Sequence, residues 1–183
     1  MKTLKLTGKY KDLLGGLWMD NNDRLIRLRY ALDIKNKAMV EIFQLGGVEV
    51  TIEEVRKLLT KLDGKEEAIE CSNGMLDSFL NGFIVFKRGK QDDRPGQPEK
   101  PALSIQNNES VNNILLKKLK IALELTSEDM LELLEEAGVT ITKGELGAVL
   151  RKEGHKNYKE CGDRYARNFL KGLAMKYRES GNS

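Results

Sequence analysis

The chain contains an internal repeat, which constrains its fold more than any other feature of the sequence. Residues 21–61 align without a gap with residues 112–152, and 14 of the 41 paired positions are identical. After one deletion the match resumes, with Cys71 aligned with Cys161. A repeat at a fixed offset indicates two copies of one structural unit. A unit of about 70 residues buries only ~60% of its unfolded surface, so we expect the two copies to pack against each other.

The ends of the repeat divide the chain into two helical units and three connecting or terminal segments. We assign residues 21–88 to the first repeat and residues 111–178 to the second. Residues 89–110 contain all three prolines together with many polar side chains, which predicts an exposed linker. Residues 1–20 precede the repeat and are interpreted as a tag, a misassigned start or a flexible arm. Residues 179–183 are predicted to be a disordered tail.

The spacing of apolar residues predicts four helices in each repeat. Apolar side chains recur three and four positions apart, and no run alternates over enough residues to require a sheet. We therefore predict an all-α fold of two homologous four-helix units, packed as a pseudo-twofold repeat. The second helix, the Gly-Val turn and the third helix have the outline of a helix-turn-helix. In the first repeat the predicted helices are about Asp23–Ile34, Asn36–Leu45, a third that begins at Thr51, and about Gly74–Phe86. In the second repeat they are the equivalent of that first helix, Ser127–Ala137, a third that begins at Thr142, and about Asp163–Tyr177.

Particular residues are predicted to end or join these helices. Thr51 with Glu54, and Thr142 with Glu145, form the pattern of a capping box at equivalent positions of the two repeats. Ser127 is a candidate N-cap for the helix that follows it. The repeated Asn-Asn pairs are expected to cap the first helix of each repeat, and the repeated Phe-Leu-x-Gly to mark a close helix contact. These two motifs are Asn21-Asn22 with Asn112-Asn113, and Phe79–Gly82 with Phe169–Gly172.

Positive charge is concentrated in the second repeat. Residues 151–178 carry nine lysines and arginines against three acids, whereas residues 124–136 carry six acids and no base. Cations interleaved with tyrosines are typical of proteins that bind single-stranded nucleic acid or RNA. Two other interpretations remain: a solvated face with Tyr165 and Phe169 in the core, or neutralisation of the acidic helix within the chain or in a homodimer. The candidate binding residues are Arg151, Lys152, His155, Lys156, Tyr158, Lys159, Arg164, Arg167 and Lys171.

Other classes of function have less support in the sequence. We expect neither an enzyme nor a cofactor, because no catalytic or phosphate-loop motif is present. A metal site is not expected, since His155 is the only histidine and no metal-ligand spacing surrounds Cys71 or Cys161. Base-specific reading of duplex DNA is disfavoured by Glu53 and Glu54, which open one candidate reading helix. One alternative is a protein–protein adaptor or regulatory scaffold whose acidic and basic faces bind partner proteins, such as an acidic protein, or a second copy of the chain. Another is a small-ligand sensor with a pocket between the repeats.

The sequence also predicts where the protein acts. No stretch reaches the ~18–20 apolar residues that a membrane span needs, so we expect no membrane partner. The first residues carry a charge every few positions, which does not fit a signal peptide. Two cysteines do not suggest a disulfide framework. We therefore predict a cytoplasmic protein.

Several longer strings of the sequence are specific enough to indicate a family: Asn113–Ala122, His155–Asp163, Phe169–Leu173, and Ser78–Ile84 with Lys87–Gly89. These strings resemble the bacterial YehS-like family, a duplicated domain of unknown function. The resemblance covers Asn21–Lys176, and the family's proteins start near Met19, so residues 1–18 depart from its pattern. The resemblance implies a bacterial, cytosolic, helical protein and gives no catalytic residues to transfer.

Overall fold

The structure is a computed structural model, and it describes residues 18–64, 67–90, 104–105 and 110–179. These residues form eight α-helices and a final π-helical turn and contain no strand, so the predicted all-α class is confirmed. Residues 1–17 of the predicted arm, most of the predicted linker and residues 180–183 of the predicted tail lie outside the described residues, whereas Glu179, which we assigned to the disordered tail, ends the final turn. The helices are α1 (Asn21–Ala31), α2 (Asn36–Leu45), α3 (Ile52–Leu58), α4 (Asn73–Arg88), α5 (Val111–Ala122), α6 (Ser127–Glu136), α7 (Lys143–Leu150) and α8 (Asp163–Ala174), followed by the turn Met175–Glu179.

Both predicted capping boxes are present, at the starts of α3 and α7. The Thr51 hydroxyl accepts the Glu54 amide at 3.1 Å, and the Glu54 carboxylate accepts the Thr51 amide at 2.7 Å. The N-cap prediction for α6 was wrong by one residue, since the cap is Thr126 and not Ser127. Asp129 stands three residues after Thr126 and completes a third box there, which Ser127 could not form because Met130 stands three residues after it.

The prediction that the asparagine pairs cap the first helices was also wrong. The N-cap of α1 is Asp20, whose carboxylate accepts the amide of Asp23 at 2.8 Å. Both asparagines of the first pair lie inside α1, and both of the second pair lie inside α5. Their side chains are therefore free to bond with segments outside their own helix.

Glycines allow the second and fourth helices of each repeat to cross closely. A Cβ added to Gly82 in α4 would overlap the carbonyl oxygen of Ile42 in α2. In the second repeat a Cβ on Gly172 in α8 would overlap the carbonyl oxygen of Leu133 in α6. The predicted close contact at the Phe-Leu-x-Gly motif is thus confirmed in both repeats.

The two repeats exchange helix contacts rather than forming separate bundles. α1 packs more extensively against α8 of the second repeat than against α4 of its own, and α5 packs more extensively against α4 than against α8. The buried apolar residues of both repeats form one continuous cluster. The core therefore depends on both repeats being present together.

None of the described helices is long and apolar enough to cross a lipid bilayer.

A buried polar network joins α4 to α5. The Asp77 carboxylate is fully buried and pairs with the Lys118 ammonium, which also donates to the side-chain oxygen of Asn81. The same carboxylate accepts the backbone amides of Ser104 and Ile105, the second at 2.8 Å. Because Ile105 is buried, this part of the predicted linker departs from the expectation of an exposed segment.

We predict that Gly82→Ala destabilises the protein while Gly147→Ala does not. The added methyl at position 82 forces α2 and α4 apart, which should cost about 3 kcal/mol or more in the free energy of unfolding. Gly147 lies inside α7 with open space around it, and alanine there should stabilise by ~0.5–1 kcal/mol. Urea unfolding followed by circular dichroism measures both effects. Equal stabilities of the two variants would contradict the crossing.

Candidate functional site

The second asparagine of each pair fixes the segment that connects the third and fourth helices. In the first repeat the Asn22 carboxamide donates to the carbonyl oxygens of Leu58 at 3.0 Å and Ile69 at 2.7 Å. Its oxygen accepts the backbone amide of Cys71 at 2.8 Å. A side-chain amide carries both donors and an acceptor, so it can bind both polar groups of a neighbouring backbone.

The second repeat contains the same arrangement. Asn113 donates to the carbonyl oxygens of Val149 at 2.9 Å and Lys159 at 2.8 Å, and accepts the amide of Cys161 at 2.9 Å. Asn113 and Asn22 are both buried. These contacts explain why asparagine stands at both positions, and they position the loop before α8 that carries most of the candidate binding residues.

Arg24 connects the first asparagines of the two pairs where the repeats meet. Its guanidinium donates to the side-chain oxygen of Asn112 at 2.8 Å, to that of Asn21 at 3.1 Å, and to the Asp163 carboxylate at 3.0 Å. Burial lowers the pKa of Arg24 from its ordinary value, and the nearby Asp163 carboxylate opposes that shift. Asp163 also accepts the Asn112 carboxamide at 2.8 Å and the Met19 amide at 3.0 Å. The junction is therefore a compact network with its charges paired.

A cavity of about 590 Å³ lies beside this junction. Residues from both repeats line it, so it lies where the sequence predicted a pocket for a small ligand. Carboxylates of Asp20, Glu70 and Glu160 are part of the lining, with Trp18 at one side. Because these carboxylates repel anions, the cavity does not suit a phosphate group.

The two cysteines lie at equivalent positions of this junction. Each has only 2% of its surface exposed, and burial raises the pKa of both the Cys71 and the Cys161 thiol to about 12. Both thiols are therefore protonated near neutral pH and are poor nucleophiles and metal ligands. Within the described residues no group of three or more histidine, cysteine or acidic side chains could hold a metal ion.

The loop between α7 and α8 places Arg151 beside His155. The guanidinium Nη1 of Arg151 lies 3.5 Å from Nε2 of His155. The other ring nitrogen, Nδ1, accepts the backbone amide of Asn157 at 3.1 Å. Both residues are exposed, and an exposed guanidinium can bind an oxyanion through charge-assisted hydrogen bonds.

Further cations surround this pair. The ammonium of Lys117 in α5 lies 3.5 Å from the carbonyl oxygen of Arg151. Burial lowers the pKa of Lys117, and the positive charge of Lys152 lowers it further. We call Lys117, Arg151, Lys152, His155 and Lys156 the basic loop surface. Across residues 18–64, 67–90 and 110–179, no salt bridge joins any of these side chains to a carboxylate.

The remaining candidate residues are distributed around this surface or away from it. Lys159 and Arg164 are exposed, before and within the first turn of α8. Tyr158 is half-buried, and so is Tyr165, which packs against the core. Tyr158 and Tyr165 therefore do not form an exposed stacking platform among the cations.

Arg167 and Lys171 lie in α8 and not in the loop before it. Lys171 lines a groove between α8 and α1 together with Arg27 and Asp23. Arg167 lies one helical turn before Lys171 on the same face of α8. The structure thus places six of the nine candidate residues in the loop and three in α8, of which Lys171 lines the groove. The sequence alone could not distinguish these groups, because the loop and the helix carry positive charges in one continuous stretch.

Comparisons with known proteins identify the family to which the chain belongs. The model of the family described as "Protein of unknown function (DUF1456)" matches residues 21–89 and again residues 112–179. The "Uncharacterized protein YehS" of Escherichia coli (strain K12) is 41% identical over 159 residues, which cover 86% of this chain and 96% of that protein. No solved structure matches the chain. The chain therefore belongs to the DUF1456 family, and the predicted resemblance to YehS-like proteins with a duplicated domain is confirmed.

We predict that Asn22→Ala and Asn113→Ala each destabilise the protein by about 3 kcal/mol, because each leaves buried backbone groups without partners. Asn168→Ala is the matched control, since its carboxamide contacts only the Arg164 carbonyl of its own helix. The control should change stability by less than about 0.5 kcal/mol. Chemical unfolding measures all three variants. A small loss at positions 22 and 113 would show that the asparagines do not hold the connecting segments.

We predict that the thiols of Cys71 and Cys161 stay unreactive in the folded protein. At pH 8 a thiol whose pKa is raised from 9.0 to about 12 has roughly a thousandfold less thiolate. A colorimetric disulfide reagent should therefore react fast only in guanidinium. The shift also stabilises the fold below about pH 9, and this contribution is lost as the pH rises toward 12. Rapid reaction of the native protein would contradict their burial.

Proposed function

We propose that this DUF1456 protein is a non-enzymatic binding protein whose second repeat contacts the backbone of single-stranded nucleic acid, with RNA as the first candidate. The observation that carries the proposal is the basic loop surface, where exposed Arg151 lies beside His155 and no salt bridge joins its lysines or arginine to a carboxylate of the described residues. A guanidinium binds phosphate oxygens through charge-assisted hydrogen bonds. The ammonium groups of Lys117 and Lys152 add positive charge beside the pair.

The first repeat does not offer an equivalent surface. The position of Arg151 is occupied there by Thr60, whose hydroxyl donates to the Arg56 carbonyl at 2.9 Å. The neighbouring cations Arg56 and Lys57 are paired with Glu53 at 3.3 Å and Glu67 at 2.9 Å. The proposed interface is therefore confined to the second repeat, where the lysines and Arg151 of the basic loop surface have no carboxylate partner among the described residues.

The geometry also favours a particular mode of binding. Tyr158 and Tyr165 are half-buried, so base stacking on these side chains would contribute little. Contacts from lysine and arginine to phosphates carry no base information. The proposed binding is therefore electrostatic, independent of base sequence and strongly dependent on salt.

We predict that the double variant Arg151→Ala/Lys152→Ala weakens binding of a fluorescein-labelled RNA 20-mer of mixed sequence. Each lost phosphate contact should reduce the slope of log K against log salt by about 0.7, so two contacts should reduce it by about 1.4. Fluorescence anisotropy at a series of salt concentrations measures both affinity and slope.

The matched control is Lys35→Ala/Lys37→Ala, which removes the same charge from exposed positions of the first repeat. It should leave the slope nearly unchanged. Absence of RNA binding by the parent protein, or equal losses in the two double variants, would rule out the basic loop surface as the interface. A second measurement with single-stranded DNA shows whether the interface discriminates RNA.

A further inference from the structure

The cavity of about 590 Å³ between the repeats has an excess of negative charge that the residues around it do not neutralise. Arg24 and Asp163 line it and form a salt bridge at 3.0 Å, so their charges cancel. The carboxylates of Asp20, Glu70 and Glu160 also line it, and no other cation does so among the described residues. Across residues 18–64, 67–90 and 110–179, no salt bridge involves any of these three carboxylates.

Two of these carboxylates come from equivalent positions of the two repeats. Glu70 directly precedes Cys71, and Glu160 directly precedes Cys161, which is the aligned cysteine of the second repeat. The backbone amide of each cysteine is held by a buried asparagine, so each glutamate is attached to an anchored segment. Each repeat therefore contributes one exposed carboxylate to the shared cavity.

The helices that begin at this cavity do not make it a site for anions. Free backbone amides in the first turn of a helix attract negative charge. The chain supplies that charge itself, because Asp20 caps α1 and Asp163 lies in the first turn of α8. The Ser72 hydroxyl caps α4 in the same way. Glu70 and Glu160 lie before their helices and add further negative charge, so the cavity attracts cations.

The carboxylates suit an organic cation better than a metal ion. Within the described part of the chain, no three histidine, cysteine or acidic side chains come close enough together to hold a metal. Carboxylates that do not converge on one point can each bind a separate ammonium group through charge-assisted hydrogen bonds. The volume of about 590 Å³ lies within the ~300–1,000 Å³ typical of sites for small molecules.

Apolar side chains of the lining suit the carbon chain that joins such ammonium groups. Trp18 is 58% exposed, although its neighbour Met19 is buried and donates its backbone amide to Asp163 at 3.0 Å. The indole ring is thus held at the edge of the cavity and stays accessible there. An aromatic face attracts an ammonium group and also packs against methylene groups. Leu62 and Val111 add apolar surface to the same lining.

We propose that the cavity between the repeats binds an aliphatic polyamine, a linear organic cation with two or more ammonium groups. Glu70 and Glu160 each bind one ammonium group, and the methylene chain between these groups packs against Trp18. The site takes one carboxylate from each repeat, so it is complete only in the duplicated chain. It is separate from the basic loop surface, whose positive charge repels such a ligand.

Trp18 is the only tryptophan of the chain, so its fluorescence reports on this cavity. The full chain is titrated at constant ionic strength with spermidine, with n-butylamine, which has a single ammonium group, and with magnesium chloride. We expect spermidine alone to change the Trp18 emission saturably and to raise the unfolding midpoint, as a ligand of the native state does. An equal response to n-butylamine or magnesium, or the absence of either response to spermidine, would overturn the proposal.

Substitutions of the two glutamates locate the binding. Glu70→Gln and Glu160→Gln each remove one charge from an exposed side chain of unchanged size. Each should weaken spermidine binding about fivefold, as expected for one ion pair in contact with water, and together they should weaken it roughly 25-fold. The matched control is Glu41→Gln/Glu132→Gln, which removes the same charge from exposed, equivalent positions of α2 and α6 outside the cavity. Equal losses in the two double variants would overturn the proposal.

Two further variants test the aromatic contact and the independence of the two surfaces. Trp18→Ala should weaken spermidine binding severalfold, as read from the unfolding midpoint, because it removes the aromatic face. Arg151→Ala/Lys152→Ala changes only the basic loop surface and should leave spermidine binding as in the parent protein, so polyamine binding and nucleic-acid binding can fail separately. Undiminished spermidine binding by both Trp18→Ala and Glu70→Gln/Glu160→Gln would overturn the proposal.

Discussion

The guanidinium of Arg24 joins the two repeats at the point where their asparagine pairs come together. It bonds to Asn21 in its own repeat and to Asn112 and Asp163 in the other, and it is almost completely buried. A buried charge of this kind is costly unless every partner is in place, so the network favours one arrangement of α1, α5 and α8. The exchanged packing of first and last helices follows from that arrangement. Neither repeat could bury its apolar residues in the same way alone, because each first helix lies mainly on the other repeat.

The parts of the fold that depend on local sequence could be predicted, and the parts that depend on distant partners could not. The capping boxes at Thr51 and Thr142 are set by residues three positions apart, and the glycine crossings repeat at a fixed offset. The asparagine pairs were also visible as a repeat, but the partners of Asn22 lie 36 to 49 residues away along the chain. Asparagine at a helix start has a common local role, N-capping, so the sequence favoured that interpretation over the long-range one. No sequence signal distinguished Arg24 from the other cations of α1.

The sequence predicted which residues of the candidate site carry positive charge, but not where the structure places their side chains. The stretch from Arg151 to Lys171 forms one basic region in the sequence, but the loop before α8 is exposed whereas Lys171 lines a groove between α8 and α1. The two repeats also differ in charge at equivalent positions of their last helices, since Asp77 of α4 aligns with Arg167 of α8. Asp77 pairs with Lys118 inside the protein, and Arg167 has no such ion pair among the described residues.

The acidic stretch of α6 does not neutralise the basic loop surface within the described residues. Glu124 lies 3.7 Å from Arg88, and Glu128 pairs with Lys143, so the acids of this region that form ion pairs do so elsewhere. The exposed loop thus keeps its charge in high-dielectric solvent, where salt screens it within about 8–10 Å. An anion bound at the loop should therefore dissociate as the salt concentration rises.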